Sequence, residues 1–134
     1  MKTKNSLVSI ALILFMSVTV MAQKEHDVIA VVNEAAWCSV CKSNGERAMA
    51  TFKENNKEGT IKFVANDLTN DETKKKSAAK LKKYGLTEAM AGNKGTGMTY
   101  FFNAETKELI TTVSVAKSDK VLAETVSSAK KAVK

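Results

Sequence analysis

From residue 27 onward the chain alternates between short apolar runs and longer segments whose apolar residues recur three or four positions apart. D-V-I-A-V-V-N, residues 27–33, is continuously apolar and rich in β-branched residues, which predicts a central strand covered by helices on both faces. The stretch S-N-G-E-R-A-M-A-T-F-K-E-N-N then sets Ala48, Met49 and Phe52 at helical spacing, with a stop near Gly59. T-I-K-F-V-A-N, 60–66, alternates enough for a second strand. D-L-T-N-D-E-T is a polar turn whose acids suit a helix N-terminus. The helix after it is expected to carry Ala78, Leu81 and Tyr84 inward and to end at Gly85. Beyond a glycine-containing loop, M-T-Y-F-F-N and L-I-T-T-V-S-V predict a hairpin of two strands joined through N-A-E-T-K-E. Ser118 is placed to cap a last helix with one apolar stripe of Leu122, Val126, Ala129 and Val133. Strand, helix, strand, helix, strand, strand, helix predicts an α/β domain with a mixed central β-sheet of about four strands flanked by helices.

Ahead of this domain, M-K-T-K-N precedes an apolar run from Leu7 to Ala22 and then the polar Q-K-E-H. A basic start, a short apolar stretch and a small residue at its exit describe a signal peptide, residues 1–22, cut after Ala22. The run is shorter than the ~20 residues a spanning helix needs, and Ser9, Ser17 and Thr19 dilute it. No cysteine follows it for lipid attachment. Residues 23–134 are therefore expected to be one exported domain, periplasmic or secreted, without stable membrane insertion after cleavage.

The formal net charge is +7, and two of the lysines, Lys2 and Lys4, lie in the leader. Lys74, Lys75, Lys76, Lys80, Lys82 and Lys83, with Lys130, Lys131 and Lys134 at the end, sit on segments that look helical. Solvated helix faces account for them. These segments lack the interleaved aromatics of a nucleic-acid surface, so no nucleic-acid partner is expected.

Both cysteines stand in A-A-W-C-S-V-C-K-S, residues 35–43, beside the only tryptophan. Two cysteines are too few for a disulfide scaffold, and a domain of this length buries its own core. Closing a loop of about four residues constrains the unfolded chain by only about 2 kcal/mol, so a staple is a poor use of this spacing. Structural zinc wants four ligands. The only histidine, His26, lies near the start of the domain, where the default is a solvated ring. A redox pair, a metal site and a redox-inert remnant stay open on these residues alone.

The element order, with W-C-x-x-C-K directly after the first strand, resembles a thioredoxin-like domain over roughly residues 27–131. Trp37, Cys38, Cys41 and Lys42 stand where that family has its motif, and F-V-A-N-D-L-T-N-D, K-K-Y-G-L, T-Y-F-F-N and K-E-L-I resemble its later landmarks. The D-L-T-N-D-E and F-F-N-A-x-T-K-E phrasing is similar to the exported thiol:disulfide interchange type. The resemblance implies a protein-disulfide oxidoreductase with catalytic Cys38 and Cys41 and a redox-site environment of Trp37, Lys42, Met98 and Glu34. It implies no further cofactor and no resident metal, and as partners protein thiols or disulfides and a redox partner.

Three departures from the family pattern bear on the site. Met98 takes the place of a cis-proline, and the chain contains no proline at all. A cis bond before a non-proline residue costs ~2.5–4 kcal/mol, so a trans bond is expected. Val32 replaces a buried acid, leaving Glu34 as the nearest substitute, and the usual kinking proline of the first helix is missing. Cys38 at a helix start meets unpaired N–H groups and the positive dipole end, which favour thiolate. Cys41, one turn later, is expected to be the more enclosed resolving thiol, and Ser39-Val40 is the dipeptide that tunes the pair. The alternative is a thioredoxin-fold binding module without turnover, holding a partner protein or Cu(I), with Met98 as a third soft ligand.

Overall fold

The computed structural model describes residues 26–134, so the segment read as a signal peptide lies outside the described residues. The elements are β1 (Val28–Glu34), α1 (Ser39–Glu54), β2 (Ile61–Asp67), α2 (Asp71–Lys83), α3 (Thr87–Met90), β3 (Met98–Asn103), β4 (Leu109–Ser114) and α4 (Asp119–Lys131). Every element expected from the sequence forms. The sheet order is β2-β1-β3-β4, with β1 parallel to β2 and antiparallel to β3, and β3 antiparallel to β4. The parallel β1–β2 pair needs a crossover, and α1 supplies it.

β1 is inaccessible on both faces, which its unbroken apolar run required. Val28, Ala30 and Val32 pack with Phe52, Phe101, Leu122 and Val126 beneath α1 and α4. Ile29 and Val31 point the other way, to Val64, Leu81, Leu86, Tyr100 and Phe102. In the first cluster Phe52 stacks on Phe63 at 5.1 Å between centroids and meets Phe101 edge-on at 6.0 Å.

Local signals set the helix ends. Cys38 caps α1, Ser118 caps α4, and Asn70 and Thr73 form a reciprocal capping box at the start of α2. Gly85, at φ +70°, ends α2 and lets the Leu86 amide reach back to the Leu81 carbonyl at 2.9 Å. That turn puts Leu86 wholly inside and leads into α3. The sequence reading had only a loop there, because four residues carry no detectable period.

Other expectations needed correction. Ala78 is exposed and Ser77 is buried in its stead. The Ser77 hydroxyl accepts the Asp67 amide at 2.8 Å, so it satisfies the end of β2 instead of filling the core. Met49 also faces outward. The lysines of α2 are exposed as expected. Lys130 is not, because its ammonium binds the Asn55 carbonyl and Glu58 and ties α4 to the end of α1. His26 is half-buried, with Nδ1 2.8 Å from the Gly59 carbonyl oxygen, and closes the start of β1 against the α1–β2 turn.

Phe52→Ala removes the ring shared by α1, β2 and β3. It is expected to lower the unfolding free energy by about 3–5 kcal/mol, measured as a lower urea midpoint at unchanged denaturant slope.

Candidate active site at the end of strand β1

The chain leaves β1 at Glu34, turns through Ala35–Trp37 and enters α1. The Cys38 amide donates to the Ala35 carbonyl at 3.0 Å, which closes this turn. Cys38 then takes the cap position, its Sγ accepting the Cys41 amide at 3.2 Å. Cys38 and Cys41 form a disulfide, with their α-carbons 5.3 Å apart. No acid lies in the first turn of α1 itself. On reduction, the same amide and the helix dipole favour a thiolate at Cys38.

The exposure of the two sulfur residues reverses the expectation. Cys38 is 6% exposed, whereas Cys41 is half-buried and lines an open cleft of about 310 Å³ with Glu34, Lys42, Asp67 and Thr69. Ala35 and Ala36 form part of that cleft and are too small to cover Cys41. Glu34 and Lys42 are themselves exposed.

Beneath Cys41 lies backbone. Its Sγ is 3.9 Å from the Asn33 carbonyl oxygen, to which a reduced thiol could donate. That oxygen also accepts the Gly97 amide at 2.8 Å. Gly97 has φ +78°, and a Cβ there would stand 3.1 Å from Val40 Cγ1 and 3.8 Å from Cys41 Sγ. The left-handed backbone therefore favours glycine here, and a Cβ would also press on Val40. Met98 opens β3 next door, and its side chain packs with the cluster around Tyr100. Among the described residues no peptide bond is cis, including the one before Met98.

Val32, at the buried-acid position, is inside the first core cluster, and across from it Thr99 is buried with its hydroxyl lacking a hydrogen-bond partner. The polar group at the head of β1 is Asn33, fully buried. Its Nδ2 donates to the Asn93 carbonyl at 2.9 Å, and its Oδ1 accepts from Asn66 at 2.8 Å. Asn93 in turn donates to the Ala89 carbonyl at 2.8 Å. Three asparagines thus bind β1, β2 and the α3 loop together under the cysteines. The sequence reading missed them, since an asparagine at a strand end reads as turn material.

Thr69 was missed as well. Its hydroxyl donates to Asp67 and accepts the Ala36 amide at 2.9 Å, while its carbonyl accepts the Trp37 indole N–H at 3.1 Å. It latches the loop ahead of Cys38 to the turn after β2. The only clue in the sequence was the D-L-T spacing of a side-chain-closed turn, which cannot reveal a partner 32 residues away. Trp37, so held, stays 61% exposed. It walls a second hollow, of about 450 Å³, with Leu68, Ala78, Leu81 and Met90.

Among the described residues no three His, Cys, Asp or Glu side chains are grouped to hold a metal ion. His26 lies before β1, at the opposite end of that strand from the cysteines.

A mixed four-stranded sheet with a Cys-x-x-Cys disulfide at the start of the helix that follows its central strand is a thioredoxin-like fold, and this chain has it. Among solved structures it is similar to a DsbH oxidoreductase, with TM-score 0.52 and 18% identity over 79% of this chain and 74% of that one. It is also similar to Trxlp from Edwardsiella tarda EIB202, with TM-score 0.49 and 15% identity over 75% and 82% of the two chains. StoA from Bacillus subtilis gives TM-score 0.49 and 18% identity over 75% and 82%. At 18% identity the likeness to the DsbH oxidoreductase shows the fold alone. No protein-family model and no curated protein sequence matches the chain. The fold and the Cys38–Cys41 disulfide together support thiol–disulfide exchange.

The Thr69 hydroxyl and amide, donating to Asp67, hold its carboxyl below the usual aspartate range. A lowered folded-state pKa means the latch contributes fully above the ordinary aspartate value and is lost as pH falls through the lowered one. The emission of Trp37, the sole tryptophan, should therefore show an acid transition below the ordinary aspartate range. Asp67→Asn should abolish that transition, and Thr69→Val should shift the emission at neutral pH while Thr69→Ser restores it.

Proposed function

We propose that this chain is an exported thiol:disulfide oxidoreductase that acts on protein disulfides through W-C-S-V-C-K. The observation that carries this reading is the disulfide at the N-terminus of α1, with Cys38 Sγ accepting a helix amide. A staple at this spacing would add little stability, whereas a sulfur held against helix N–H groups is a good thiolate.

In the reducing direction, the Cys38 thiolate attacks one sulfur of a substrate disulfide. A mixed disulfide forms and the substrate's other sulfur leaves as a thiolate, which takes up a proton. Cys41 then loses its proton and attacks Cys38 Sγ, releasing the second substrate thiol and restoring the Cys38–Cys41 bond. Two electrons pass from the protein to the substrate, and the oxidising direction runs the same steps backward. The buried Cys38 must be uncovered when substrate docks, and the open cleft beside Cys41 gives the resolving thiol a path to release its proton to water. Glu34, Asp67 and Lys42 border that path.

The pattern of residues 1–22 supports export, with the disulfide stable in an oxidising compartment. The redox partner is then a second exported thiol protein. The alternative Cu(I) site finds little support, since Met98 packs with the Tyr100 cluster and Gly97 is the residue brought against Cys41.

Cys41→Ala is expected to accumulate mixed disulfides through Cys38 in cell extracts, seen as reductant-sensitive adducts, and Cys38→Ala to accumulate none. Adducts at equal levels in both variants would overturn the assignment of Cys38 as nucleophile.

A further inference from the structure

Thr99 is fully buried, and its hydroxyl finds no hydrogen-bond partner among the described residues. A buried hydroxyl left unpaired costs stability and calls for a reason. Thr99 stands opposite Val32 on β1 and Val113 on β4, so its side chain shares their face of the sheet. That face packs against Ala48 and Phe52 of α1 in a cluster that is wholly apolar and offers no acceptor. As the crossover from β1 to β2, α1 runs back along β1. Val32 lies two residues before Glu34, about 7 Å, a distance a helix covers in about four or five residues. Thr99 is therefore level with the turn of α1 from Cys41 to Gly45. Gly45 has no side chain, and even a Cβ there would meet nothing within 4 Å. Asn44 and Arg47 are engaged elsewhere, and Lys42 and Ser43 face solvent. The side chain left at this level with an atom that can accept is Cys41. Gly97, two residues before Thr99, brings its Cβ position to 3.8 Å from Cys41 Sγ.

Cys41 has the complementary need. Its sulfur lies 3.9 Å from the Asn33 carbonyl oxygen, which already accepts the Gly97 amide. That oxygen suits a protonated thiol and repels a thiolate, yet the resolving step requires the thiolate. Resting on the oxidoreductase reading, we infer that the Thr99 hydroxyl is the hydrogen-bond donor to the Cys41 sulfur whenever the disulfide is open. In the disulfide, Cys41 is neutral and tied to Cys38, and the hydroxyl goes unpaired. In the dithiol and in the mixed disulfide, Cys41 is free of Cys38 and turns toward β3, where the Thr99 O–H donates to it. Cys41 gives its proton to water and attacks Cys38 Sγ. The substrate sulfur leaves with the electron pair of the broken bond and takes up a proton. Thr99 keeps its own proton throughout and ends unpaired again. The hydroxyl thus favours the open states over the closed one, which makes the pair more oxidising and lets Cys41 resolve at lower pH.

Thr99→Val removes the hydroxyl at nearly equal volume, and Thr99→Ser keeps it. Urea midpoints are measured for each protein as the disulfide and, in excess dithiothreitol, as the dithiol. Thr99→Val is expected to leave the disulfide form as stable or more stable and to lower the midpoint of the dithiol form. A residue that only packs would shift both forms alike. At equilibrium with glutathione, the dithiol-to-disulfide ratio of Thr99→Val should fall about tenfold, a potential about 30 mV lower, while Thr99→Ser stays near the parent protein. The pH profile for Cys41 clearing glutathione from Cys38 should move to higher pH in Thr99→Val and return in Thr99→Ser. Equal midpoint shifts in both redox states, with an unchanged glutathione ratio, overturn the role of Thr99 and leave the oxidoreductase reading intact. If the parent protein does not exchange with glutathione, that reading fails and the midpoints alone decide. The split between redox states then upholds the hydrogen bond, and its absence overturns it. If Thr99→Val does not fold, Thr99→Ala is compared with Thr99→Ser in the same way. The cavity in Thr99→Ala weighs on both redox states alike, so the difference between them still decides.

Discussion

Strand β1 has no face toward water, and the rest of the molecule follows from that constraint. A strand with apolar side chains on both faces requires two helical layers, one of α1 and α4 and the other of α2 and α3. Its backbone also requires partners on both edges, and β2 and β3 supply them in opposite directions. Such a strand can meet solvent only at its ends. The cysteines are at one end, where side chains rest on a rigid frame and yet reach a partner.

The polar groups at that end show what rigidity costs. Asn33 and Asn66 are opposite each other in the parallel ladder and share a hydrogen bond away from solvent. A buried amide without partners costs roughly 1–3 kcal/mol. Slipping β1 by one residue against β2 would separate the two, so the pair fixes the register that apolar residues alone leave degenerate. The Asn33 carbonyl serves Gly97, and Gly97 serves Val115, so the same residue carries the register into the loop behind Cys41. Core order and site order are continuous here.

The contrast between what was legible in the sequence and what was not has a physical basis. Strands, helix caps and the helical stripe of Leu122, Val126 and Ala129 are periodic or local, and they emerged where expected. The pairing of Cys38 with Cys41 and its place at a helix start were equally local. The relative exposure of the two cysteines was not. It depends on Ala35, Ala36 and the turn after β2, brought together by the fold. Thr69, Asn93 and Gly97 act on the site across distant stretches of chain, 32 residues for Thr69 to Trp37 and 60 for Asn93 to Asn33, through single hydrogen bonds or a single van der Waals contact, and no periodicity records such a contact. Lys130 shows the same limit, since a lysine at a helix end looks alike whether it faces water or a neighbouring carbonyl.

Arg47 adds a consequence in time. It lies two turns after the cysteines and hydrogen-bonds the carbonyls of Val115 and Lys117 at 2.9 and 3.0 Å, besides pairing with Asp119. The helix that carries the redox pair is therefore braced by the last quarter of the chain. A nascent polypeptide, emerging N-terminus first, presents both thiols long before that brace or Gly97 has been made. Three residues of separation let the sulfurs join without any of it. The oxidation state in which the protein completes folding is thus set by the redox conditions around the growing chain, and only afterwards does the finished architecture govern how readily that bond is exchanged.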